Sequence, residues 1–293
     1  MTCCAIQEPK RVGLHRLWMW CAAGLLVFLP GCSLTLLAYH YADRLILWQV
    51  DHYFDLTSDQ RHELGRQLKP LLARHKHEAI PQYEAALVQV RQRIERGLTS
   101  QDVDWAYATY DRLRADLFNR IIADGGVFLA SIEPEQVQTL ETALQKENSK
   151  VARLVQAPAP ERLKKRANAT VNELEDWLGA LSKGQKAQIH ELSLALPDTQ
   201  QFWATNQQQR QQDLLALLRQ PRTPEGIARE LRTILVVSPD LASHAYQDAI
   251  RQMRVAMKTM ALAIDQRLTA DQRRHGVKKL QRLIDQLHAL QTE

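Results

Sequence analysis

The chain has 293 residues, 45% of them hydrophobic and 24% charged, with a net charge of +5 and only 11 glycines and 11 prolines. This composition excludes collagen-like, low-complexity and disulfide-scaffold proteins, and the length is enough for one or two domains with a substantial core. A charge this small gives no reason to expect nucleic-acid binding.

Lys10, Arg11 and Arg16 form a positive head, followed by the apolar run Leu17 to Leu29 and then Leu29-Pro30-Gly31-Cys32. This is the order of a secretory signal peptide. The tetrapeptide is similar to a lipobox. That resemblance implies that Leu29 and Gly31 are read by the signal peptidase and that Cys32 is acylated as the new N-terminus. Pro30 departs from the usual small residue, so a plain signal peptide and an uncleaved anchor stay open. Residues 1–31 are expected to be removed. Loss of Lys10, Arg11, Arg16 and Glu8 lowers the net charge to +3. Cys3, Cys4 and Cys21 go with the leader, so Cys32 is the one thiol left, which suits an oxidising compartment. Stable anchoring needs more than one acyl chain, and bacterial lipoproteins carry three. Ser33 follows the cysteine in place of Asp; by resemblance to the usual sorting rule, this implies the outer membrane, facing the periplasm.

The body is expected to be all-α, an elongated multi-helix bundle, because no segment alternates apolar and polar residues as a half-buried strand would. Apolar residues follow Cys32 almost at once, from Leu34 to Phe54. They fit either a core helix or a helix lying in the membrane interface, where Tyr and Trp suit the headgroup level. Leu64, Leu68, Leu71 and Leu72 mark one helix face. Pro70 and Pro81 should kink or divide that helix, and Gly97 should stop its continuation. The next helix starts at Thr99, with Gly125-Gly126 expected to end or kink it. A helix over 134–155 follows. Ala157-Pro158-Ala159-Pro160 is the best boundary between an N-terminal half, 32–156, and a C-terminal half, 157–293. Helices are expected after it at about 182–196, 199–219, 224–236, 240–267 and 269–291, punctuated by prolines.

Leu56-Thr57-Ser58-Asp59-Gln60 recurs as Leu268-Thr269-Ala270-Asp271-Gln272, with looser copies at Ile132 to Gln136 and Leu181 to Gln185. A Thr or Ser three residues before a Gln is the spacing of a capping box: the hydroxyl accepts from an orphan N–H of the first turn, and the Gln reaches back to the cap N–H. Glu133 is a poor cap, partly compensated by Pro134. The copies lie 76 and 87 residues apart within each half, and middle starts at Thr99 and Thr223 follow Thr57 and Ser182 by 42 and 41. An internal duplication of two helical units is the expectation.

The pentapeptide resembles the L-T-x-x-Q motif of Spy/CpxP-type periplasmic proteins, which are small, all-helical, cradle-shaped chaperones and stress modulators. The whole chain also resembles a family of uncharacterised proteobacterial lipoproteins. That likeness rests on a lipid-modified Cys, the run Trp-x-x-Asp-x-Tyr-Phe-Asp-Leu-Thr (Trp48 to Thr57) and helices throughout.

No catalytic constellation stands out. His75-x-His77 does not put two rings on one helix face, no zinc or phosphate-loop motif occurs, and neither metal nor cofactor is expected. Asp51, Asp55 and Asp59 could line a face as a cation or acid–base site, or lie in the approach to the cap with Asp59 favoured by the helix dipole. Arg273, Arg274, His275, Lys278, Lys279 and Arg282 read as a solvated face or as a phosphate contact. The expectation is a non-catalytic lipoprotein, bound to the bilayer through Cys32, that binds an envelope protein or unfolded client. The alternatives are a structural or assembly factor docked on the outer membrane and a cell-envelope hydrolase.

Overall fold

The computed structural model describes residues 38–237 and 242–292. Leu29, Gly31 and Cys32, and with them the expected leader and anchor, lie outside the described residues. Within them the chain is all-α, with eleven α-helices and no strand. None of these helices is long and apolar enough to cross a membrane.

Helix α1 spans Ala42–Phe54 and stops where Asp55 takes a left-handed conformation (φ 50°). Helix α2, Ser58–Arg74, opens on the Thr57 capping box and runs through Pro70. It is joined to α3, Ile80–Arg96, by a π-helical turn, His75–Ala79, in which the Ile80 N–H bonds the His75 carbonyl. The position of that turn has a physical reason. A proline inside an α-helix collides with the carbonyl four residues back; for Pro81 this is His77, and the wider turn sits there. Pro70 thus lies within α2, while Pro81 follows the turn that divides α2 from α3. Gly97, at φ 91°, ends α3. Helix α4, Ser100–Ala130, passes uninterrupted through Gly125-Gly126, contrary to the expected break. Those glycines serve packing: a Cβ on Gly126 would lie 2.5 Å from the Pro224 carbonyl oxygen of a crossing helix.

Helix α5 is Pro134–Gln156 and α6 is Ala159–Leu178. Helices α7, Lys183–Leu194, and α8, Gln200–Leu218, follow. Helix α9, Pro224–Arg232, is capped by Thr223 and runs into a second π-helical turn, Thr233–Val237. Helix α10, His244–Asp265, starts at Ser243, whose hydroxyl accepts from the Tyr246 N–H. Helix α11, Ala270–Thr292, closes the chain.

The packing reveals a repeat with one insertion. Helix α5 packs on α1 and α8, while α11 packs on α6 and α3. Helices α1 to α5 therefore correspond in order to α6, α7, α8, α10 and α11, and each unit lends its last helix to the third helix of the other. Helix α9 has no counterpart; it lies along α4. The match between the middle starts Thr99 and Thr223 is accordingly corrected: the equivalent of Thr99 is Ser243, and Thr223 opens the inserted helix. Chain spacing alone misled because the inserted helix opens directly after α8, at nearly the distance from Ser182 at which α4 opens from Thr57.

The expected boundary at 156/157 falls between α5 and α6. Three of the four core clusters among the described residues draw on both sides of it. Leu215 joins Leu64, Leu68, Leu140 and Leu144. Ile122 packs with Leu217, Ile227 and Leu231. Leu87 packs with Leu280 and Ile284. The fourth, around Leu181, Ile189, Leu196 and Met260, belongs to the second half alone.

Candidate binding surface and the glutamine clasps

The four pentapeptides meet in two pairs. Gln60 completes its own capping box: its Oε1 accepts the Thr57 N–H (3.1 Å), and Thr57 Oγ1 accepts the Gln60 N–H (3.2 Å). Its Nε2 then donates to Gln136 Oε1 (2.9 Å) and to the Ser131 carbonyl (2.7 Å). Gln136 answers in kind, with Oε1 accepting the Glu133 N–H (3.0 Å) and Nε2 donating to Gln60 Oε1 (2.7 Å) and the Asp55 carbonyl (3.2 Å).

The second pair has the same bonds. Gln185 Nε2 donates to Gln272 Oε1 (2.8 Å) and to the Arg267 carbonyl (3.0 Å). Gln272 Nε2 donates to Gln185 Oε1 (3.0 Å) and the Ala180 carbonyl (2.8 Å). The oxygens accept the N–H groups of Ser182 and Thr269, both at 3.0 Å. In all four cases the outside carbonyl lies two residues before the cap of the partner helix. A carboxamide has two donor hydrogens and two acceptor lone pairs, and each of these glutamines uses all four. Glu would lose both donors, and Asn lacks the reach.

The surroundings repeat as well. Asp51 accepts the Leu56 N–H (3.1 Å) and pairs with Arg61 (2.7 Å). Glu175 accepts the Leu181 N–H (3.4 Å) and pairs with Lys186 (2.7 Å). The hydrogen bonds from Arg61 and Lys186 hold these carboxyls below the usual range. Leu56, Thr57, Gln60, Leu268, Thr269 and Gln272 are thus structural residues: Leu56 is buried, and the polar ones close the clasps. Asp51 serves the first clasp, while Asp55 terminates α1 and Asp59 lies in the first turn of α2. No group of three or more His, Cys, Asp or Glu that could hold a metal occurs among the described residues.

The basic stretch of α11 is largely spoken for. Arg273 pairs with buried Asp265 (2.7 Å) and donates to the Ile94 carbonyl. Arg274 pairs with Asp271, and Lys279 pairs with Asp176 and lies over the Trp177 ring. In the π-turn, Tyr39 donates to the Leu72 carbonyl (3.2 Å) while its oxygen lies 3.1 Å from His75 Nδ1. Burial pushes His75 down and the Tyr39 phenol up to about 12.

The exposed chemistry is elsewhere. Helix α1 buries Tyr53 and Phe54, with Ile46, Leu47 and Val50 packed beside them. Its other face shows Tyr41, Leu45 and Trp48, the last 56% exposed. These are four and three residues apart, one stripe of the helix. Trp48 stacks on His52 (6.2 Å between centroids). His52 is the one α1 residue at the edge of an open groove of about 590 Å³ otherwise lined by α5, with Glu135, Gln138, Thr142, Lys146, Glu147 and Lys150. The core-helix reading holds for the face that carries Tyr53 and Phe54. The groove had no signal in the sequence, because its walls are ordinary polar positions of two helices far apart in the chain.

The described residues thus form an all-α bundle closed by paired carboxamides, with an exposed apolar stripe on α1. The chain belongs to a family of unknown function (DUF6279), whose model matches residues 52–247. That span holds both glutamines of the first clasp and one of the second. No curated protein and no solved structure matches the chain.

Proposed function

We propose that this chain is a lipoprotein, anchored by acylated Cys32 at the periplasmic face of the outer membrane, that acts by binding an envelope protein or an unfolded client. The observation that carries the reading is the α1–α5 groove with the exposed Tyr41–Leu45–Trp48 stripe at its edge. A groove with a polar floor and an aromatic rim gives an extended polypeptide both hydrogen-bond partners and apolar contact. The likeness to Spy/CpxP-type proteins supports a chaperone or adaptor role. Its motif residues here hold helices together, so the client contacts would be made by other side chains.

A photo-crosslinking residue at Thr142, introduced into the full chain in living cells, tests the groove. The expected result is a discrete adduct at Thr142 and none at Lys278 on α11. No adduct at Thr142, or the same smear at both positions, would count against the groove. Cys32→Ala should move the protein from the membrane to the soluble fraction, and unchanged retention would remove the anchor.

A second reading is an assembly factor docked on the bilayer, and the α1 stripe favours it. Its first exposed aromatic, Tyr41, is nine residues from Cys32. A soluble form lacking Cys32 should then bind lipid vesicles with a blue shift of Trp48 fluorescence, and Trp48→Ala should abolish the binding.

A further inference from the structure

Helix α2, with the π-turn that continues it, and helix α4 leave a space between them. Leu71, Arg74, His75 and Glu78 stand at i, i+3, i+4 and i+7, the spacing of one helix face. Leu117, Arg120 and Ile121 repeat that spacing on α4. Together these residues line a pocket of about 240 Å³. Leu71, Leu117 and Ile121 are half-buried and join none of the four core clusters, so their apolar surface is not used up by the core.

Two ion pairs cross from one wall to the other. Arg74 of α2 pairs with Asp124 of α4 (2.6 Å), and Arg120 of α4 pairs with Glu78 of the π-turn. The partners are four residues apart on each wall, so the pairs stand about one helical turn apart. Each pair uses one terminal nitrogen of its guanidinium, Arg74 Nη2 and Arg120 Nη1. The other terminal nitrogen of each has no partner among the described residues. The four charges cancel, so what the pocket offers a ligand is these unused N–H groups and not a net potential. His75 adds a second sign of an unfinished site. Its Nε2 is shielded from solvent and has no hydrogen-bond partner among the described residues, an arrangement folded chains seldom keep without a reason. A π-turn of this kind is itself frequent at functional sites.

We propose that this pocket binds a small organic carboxylate, with its hydrocarbon body on Leu71, Leu117 and Ile121 and its carboxylate held by Arg74 and Arg120. A guanidinium presents a planar pair of N–H groups that matches a carboxylate. The volume lies below the ~300–1,000 Å³ usual for drug-sized ligands, which limits the occupant to a compact molecule such as a short-chain or single-ring acid. The inference does not depend on the anchor or on the α1–α5 groove.

The test is methyl-labelled NMR of the full chain in detergent, titrated with benzoate, with benzamide as its neutral counterpart, with benzylamine as a cation and with acetate, which lacks the hydrocarbon body. Benzoate should shift the Ile121 and Leu117 methyl signals saturably, with a Kd of about 1 mM or tighter. The other three should bind at least about tenfold more weakly. Arg120→Lys keeps a charge for Glu78 but loses the planar fork, and Arg74→Met removes a donor; each should weaken benzoate about tenfold. No saturable shift with benzoate overturns the site, as does an equal response to benzamide or benzylamine, or undiminished binding in both variants. If a variant does not fold, the comparison of benzoate with benzamide on the wild-type chain decides by itself.

Discussion

A glutamine side chain usually has more hydrogen-bonding capacity than a protein interior can use. Gln60, Gln136, Gln185 and Gln272 are exceptions, since each amide group is filled on both sides. Truncating Gln136 leaves the Asp55 carbonyl and the Gln60 amide short of partners, so Gln136→Ala should cost about 2 kcal/mol in chemical denaturation. A double-mutant cycle with Gln60→Ala should show coupling of about 1 kcal/mol, and strict additivity would refute the clasp. Asp102 gives a pH signature. It receives two bonds from Arg96 (2.6 and 3.0 Å) and two from Thr99, and the Arg96 bonds above all hold its carboxyl well below the usual carboxylate range. Its ionised form therefore stabilises the fold at neutral pH, and that contribution fades as the pH falls below about 4. Melting curves from pH 7 to pH 2 should fall in acid, and Asp102→Asn should be less stable at pH 7 and flatter below pH 4.

At the scale of single elements, capping chemistry and prolines made most helix starts legible. Thr57, Thr99, Ser182 and Thr223 cap helices at the positions their spacing gave. What eluded the sequence were features decided by tertiary packing. Gly125-Gly126 looks like a breaker locally, yet α4 continues, because a crossing backbone needs the space a side chain would take. Gly126→Ala, a helix-favouring change in isolation, should therefore destabilise by about 1–3 kcal/mol through overpacking against Pro224 and Ala228. A gain in Tm would show that α9 can move aside. The π-turn at His75–Ala79 was equally hidden; Pro81 signalled trouble, but not its resolution as a wider turn.

Across the molecule, the duplication was visible as a repeated pentapeptide, whereas the pairing of its copies was not. Nothing in Leu56-Thr57-Ser58-Asp59-Gln60 says that its amide will meet the one 76 residues on. The exchange of last helices, α5 onto α8 and α11 onto α3, packs each unit against the other. Separately expressed 38–156 and 157–292 should each show weak, broad melting by circular dichroism. Mixing them should restore a sharp transition. Two sharp, independent transitions would mean that the units are autonomous.

The clasps also have a kinetic meaning. Each joins the start of one helix to the start of another at a sequence separation of 76 or 87, so its ring of amides cannot close until the chain between has found its place. Contacts so distant along the chain carry a loop-closure cost that local helix formation does not. They are therefore expected to close late, on the native side of the folding barrier. In stopped-flow measurements, Gln60→Ala should leave the refolding rate nearly untouched and hasten unfolding, setting the lifetime of the folded chain more than the speed at which it is made.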